Sequence, residues 1–97
     1  MGRTLEEMDA YERALPTYPL LPEHHEWVVF SGEPAINISD PSVSEGIVAW
    51  FTEEADTVFR CTAYYLPSMP DVFAPDVKSA VDILAAWAWM GLLREQP

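Results

Sequence analysis

Thr57-Val58-Phe59-Arg60-Cys61-Thr62-Ala63-Tyr64-Tyr65-Leu66 alternates along its whole length. Phe59, Cys61, Ala63 and Tyr65 fall on one side, and Val58, Arg60, Thr62 and Tyr64 on the other. A two-residue period of this kind predicts a β-strand with one face on a core. Such a strand needs a neighbour for its backbone N–H and C=O groups. Residues 47–52 supply one, joined through Glu53-Glu54-Ala55-Asp56 by a short acidic hairpin loop. That pairing decides residues 43–51. Val43, Ile47, Trp50 and Glu54 also fit a helical spacing, but Gly46 and the β-branched Ile47 and Val48 favour a strand.

Working outward toward the N-terminus, Trp27-Val28-Val29-Phe30 is a strand by composition. Ser31-Gly32-Glu33-Pro34 is turn-like, residues 35–39 are a second short strand, and Asp40-Pro41-Ser42 marks a turn or the start of a helix. Residues 4–15 predict a helix. Thr4 and Glu7 have capping-box spacing, Leu5, Met8, Tyr11 and Leu15 form its apolar stripe, and Pro16 stops it. Pro16, Pro19 and Pro22 then recur every three residues, the period of a polyproline II helix. An SH3-type ligand would also carry a flanking Arg or Lys, and here Glu23, His24, His25 and Glu26 follow. The segment reads as a stiff spacer that packs Tyr18, Leu20 and Leu21 onto the body.

Toward the C-terminus, Pro67, Pro70 and Pro75 mark a connection from sheet to helix. Residues 76–95 predict one amphipathic helix with Asp76 as N-cap. Val77, Val81, Leu84, Ala88 and Leu92 make its apolar side, while Lys78, Ser79 and Asp82 make its wet side. At about 100° per residue, Ala86, Trp89 and Leu93 project to that wet side in the later turns. The far half is then apolar all round, and a helix of that kind is buried everywhere or awaits a partner. Trp27, Trp50 and Trp87 fit a core, but Trp89 cannot share a helix face with Trp87 and is expected at an interface unless the second sheet face or the proline-rich loops cover it. The expected fold is α+β: a single domain over residues 1–97, with a three- to four-stranded antiparallel sheet and both helices on one face. The second sheet face would be polar and wet, or covered by another copy.

Sixteen acids against five bases give a formal charge of −11 in 97 residues, with 49% apolar residues. That charge repels phosphate, which disfavours direct binding to nucleic acid or an anionic membrane. The longest apolar stretch, residues 83–93, falls short of the roughly 20 residues that span a bilayer. A single cysteine and no apolar signal core lead to a cytoplasmic expectation.

The motifs offer little chemistry. His24 and His25 are adjacent, so in extended chain their rings point apart, and no zinc-type spacing accompanies them. Cys61 falls on the inward side of its strand and is expected to be a buried, inert thiol. The paired carboxylates are scattered over expected helix surfaces and loop tips, not gathered in a cleft. Neither a metal nor a cofactor is implied. The expected function is a non-enzymatic acidic interaction module, a small regulator or inhibitor of the kind met among phage and bacterial accessory proteins. Its protein partner would present a basic or apolar surface to Ala86, Trp89 and Leu93 and to the acids Glu53, Glu54 and Asp56. The alternative is a homodimer that associates through its C-terminal helix.

Overall fold

The sheet starts from a two-residue turn in which Ser31 has φ 53° and Gly32 φ 85°. Two successive positive φ values give the type I′ turn, whose twist matches that of the strands it joins. In the computed structural model, which describes residues 5–39, 46–55, 58–65 and 72–94, this turn closes β1 (His25–Phe30) against β2 (Glu33–Ile38) in unbroken antiparallel register. Glu33 and Pro34, turn-like in sequence, therefore belong to a strand. β3 (Gly46–Ala55), β4 (Val58–Ala63) and β5 (Val72–Ala74) follow, each antiparallel to the one before, in the spatial order β1-β2-β3-β4-β5.

The expectation of three or four strands is corrected to five among the described residues. The additional strand, β5, lies inside the proline-rich connection. Three residues are too few to display an alternation, and a short edge strand tolerates prolines beside it. The acidic loop is also corrected. Glu53 and Glu54 continue β3, and Ala55 pairs with Val58 across a bulge. Asp56 and residues 43–45 lie outside the described residues.

The register sorts the two sheet faces. Ile36, Ala49 and Ala63 stand side by side, as do Phe51, Cys61 and Val72, and Phe59 with Ala74. A bulge opposite Ile36 and Asn37 adds Val48 to this face, so Val48 and Ala49 are both buried. The last helix, α2 (Val77–Trp89), covers these residues with Ala80, Val81, Leu84, Trp87 and Ala88. Trp27 packs at the margin of this core, but Trp50 aligns with Ala35 and Thr62 on the opposite face and is half-buried. That second face carries half-buried Val28, Thr62 and Arg60 with the more exposed Phe30 and Phe73, so it is mixed in character.

The first helix, α1 (Leu5–Ala14), lies against β1 and β2. Its stripe is less buried than its spacing predicts: Leu5 is 79% exposed, and among the described side chains of α1 none joins the core cluster. The capping box at Thr4 and Glu7, and the side chain of Met8, lie outside the described residues. A 3-10 turn, Leu15–Thr17, takes up Pro16 and ends the helical geometry.

Asp76 caps α2 as its sequence position predicts, its carboxylate accepting from the Ser79 N–H at 2.7 Å. That bond holds the Asp76 carboxyl below its usual pKa. The far end differs from expectation, because α2 stops at Trp89 and not near residue 95. The Gly91 N–H donates to the Ala88 carbonyl and the Leu92 N–H to the Trp87 carbonyl, with Gly91 at φ 76°. This pair of bonds around a left-handed glycine is the Schellman stop. A Cβ at Gly91 would meet no atom within 4 Å. Gly91→Ala is therefore expected to cost roughly 1 kcal/mol through backbone strain alone. Urea melts of the two proteins check this.

Candidate interaction surface

Tyr18 leaves the 3-10 turn in polyproline II geometry, at φ −75° and ψ 161°. A polyproline II chain makes no internal hydrogen bonds, so its carbonyls remain open to outside donors. Two tryptophans from distant parts of the chain take them. The Trp27 Nε1–H of β1 donates to the Pro19 carbonyl at 2.9 Å, and the Trp89 Nε1–H donates to the next carbonyl, of Leu20, at 2.8 Å. Tyr18 stands edge-on to Trp27 with ring centroids 5.3 Å apart. Burial pushes the Tyr18 phenol pKa up, and the neighbouring Tyr11 adds to the shift. The segment is strapped to the body.

The threefold period of this strap sorts its side chains. Tyr18 and Leu21, three apart, share the inward side and pack on the core. Leu20 falls on another side and is 86% exposed, which corrects the expectation that it packs with them. Beside it are Trp89, 62% exposed, and the next residue Met90, 67% exposed. Three exposed apolar residues, Leu20, Trp89 and Met90, thus form a patch where the strap meets the end of α2, joined by the bond from the Trp89 indole to the Leu20 backbone. Leu20 was legible from the proline spacing, since a three-residue period groups it with Glu23. Met90 required knowing where the helix ends.

Two of the residues placed on this surface by the helical reading are where it puts them: Ala86 and Trp89 are both exposed. Leu93 is not. It is fully buried in the core, because the turn at Gly91 takes the chain off the helical path and back over the sheet. Glu53 and Glu54 are exposed but stand on β3, and Glu54 is engaged within the chain. Its Oε1 lies 2.9 Å from Arg60 Nε, and the Arg60 guanidinium sits 5.5 Å from the centre of the Phe73 ring.

A cleft of about 500 Å3 runs between residues 17–19 and the first turns of α2, where Val77 and Val81 form its floor. Lys78 Nζ and Asp82 Oδ2, 3.0 Å apart, form an ion pair on its rim. His24 has φ 68° in the turn before β1, and His25 Nδ1 lies 2.9 Å from the Glu23 carbonyl. Glu26 accepts a hydrogen bond from Asn37 across the strands at 3.0 Å. Among the described residues, no three His, Cys, Asp or Glu side chains are grouped to hold a metal ion. No helix among them is long and apolar enough to cross a membrane.

Cys61 is buried between Phe51 and Val72, and desolvation pushes its thiol pKa up to about 11. A thiol reagent at pH 8 is expected to modify the native protein at least tenfold more slowly than the urea-unfolded chain, since both access and thiolate are suppressed. Absorbance-monitored labelling in the two states checks this.

No family model, curated protein or solved structure matches this chain.

Proposed function

We propose that this chain is a non-enzymatic acidic interaction module, a small regulator or inhibitor that docks on a basic surface of a protein partner through the Trp89 patch. The observation that carries this reading is the state of Trp89. A side chain as large as indole is held 62% exposed, and its orientation is set by a hydrogen bond to Leu20. An anchor fixed in advance loses little conformational freedom on binding, and tryptophans of this kind dominate interface energetics. The formal charge of −11 supports a basic partner and a salt-sensitive encounter.

Affinity capture with wild-type protein and with Trp89→Glu tests the reading. The variant is expected to lose the captured partner, a weakening of roughly 30-fold or more for an anchor of this class, while its circular dichroism stays native. Raising the salt should slow association of the wild type. Equal capture by a folded Trp89→Glu would overturn the proposal. The exposed helix end also supports a second reading, self-association through the same patch. Two chains of like charge repel, so a dimer held there would strengthen as salt rises, opposite to the behaviour expected with a basic partner.

A further inference from the structure

We infer that the group seated on Trp89 is an arginine side chain from a basic segment of the partner protein. This rests on the reading of Trp89 as a docking anchor and names the chemistry it recognises. Indole has one hydrogen-bond donor and no acceptor. In this chain the donor is already given to the Leu20 carbonyl. What Trp89 offers outward is therefore only its ring, and the ring face is the electron-rich part of the residue. A tryptophan face is the strongest aromatic site for a cation, and guanidinium is the side chain most often found there.

The charges around the patch agree. Asp82 lies two turns earlier on the exposed side of α2, about 10 Å along the axis, where it is already paired with Lys78. Glu23 lies three residues beyond Leu20 in the turn that leads into β1, with its side chain 89% exposed. With Glu23 exposed beyond the strap and a formal charge of −11 over the chain, a cation is favoured over an anion at the Leu20–Trp89–Met90 patch. Leu20 and Met90 would receive the aliphatic stem of an arginine, which packs on apolar surface while its head stays polar. The chain uses the same recognition internally, where Arg60 is held between the Phe73 ring and the Glu54 carboxylate.

The test uses three synthetic peptides of equal length, one alternating arginine with leucine, one alternating lysine with leucine, and one alternating serine with leucine. Each is titrated into the 15N-labelled full chain while the four indole N–H resonances are followed. The arginine peptide is expected to shift the Trp89 resonance selectively and to bind more tightly than the lysine peptide. Trp89→Phe should retain weakened binding, and Trp89→Leu, apolar but without a π-face, should bind roughly tenfold less tightly. Unchanged affinity of Trp89→Leu for the arginine peptide would overturn the inference, as would equal binding of the serine peptide. Loss of the native partner by Trp89→Glu but not by Trp89→Leu would leave the docking reading standing and remove the arginine. Retention by both would remove the docking reading itself.

Discussion

Leu93→Ala is expected to destabilise the fold by about 2–5 kcal/mol, the range for truncating a large aliphatic side chain in a core that cannot fully collapse. Leu93 has no exposed surface and packs within the cluster that α2 forms with the sheet. A domain of this size is stable by roughly 5–15 kcal/mol, so the loss is a large share of the total. The paired expectation is that Trp89→Ala, four residues earlier, costs only about 1 kcal/mol, mostly the hydrogen bond to Leu20. Urea denaturation of both variants checks the pair. Equal costs would contradict the turn at Gly91 that sends the two side chains to different places.

Phe51→Ala is expected to be the most damaging single truncation in the sheet, at about 3–5 kcal/mol. Phe51 is 1% exposed and meets Phe59 edge-on, with ring centroids 5.6 Å apart and planes at 87°. Its chain neighbour Trp50 is larger but lies on the opposite, half-buried face. Trp50→Ala should therefore cost less than Phe51→Ala, against the order of side-chain size. Thermal or urea melts of the two variants read this directly, and a reversed order would mean that the strand faces are assigned the wrong way round.

Much of the fold was legible where a periodic pattern ran long enough to be unambiguous. The inward set Phe59, Cys61 and Ala63 of β4 followed from strict alternation, and the apolar stripe of α2 from its 3.6-residue spacing. Asp76 announced its cap. What escaped the sequence depended on partners or on breaks in a pattern. Val72–Ala74 becomes a strand only because β4 offers it an edge. Glu53 and Glu54 look like a loop by composition, yet β3 continues through them, because Arg60 on the neighbouring strand balances one of their charges. The candidate site was half legible. Trp89 was conspicuous as an aromatic on a polar stripe. Leu93 carried the same helical angle and was misplaced, since Gly91 was a visible stop signal that the apolar run around it outweighed. The sequence allows cover of Trp89 by proline-rich chain, but it does not specify Leu20 as the partner, because the contact joins residues 69 positions apart.

That separation bears on how the molecule assembles. Every strand pairs with its neighbour in sequence, so the sheet can zip up from short-range contacts and form early. The bond from Trp89 to Leu20 closes a loop of 69 positions that spans β1–β5 and α2, so it is expected to form after them. The strap, together with the lightly packed α1 before it, is then expected to open as a cooperative unit ahead of the rest. The indole proton of Trp89 is its clock: its exchange with solvent times the release of the N-terminal segment, while the amides of β2 and β3 exchange only when the whole domain unfolds.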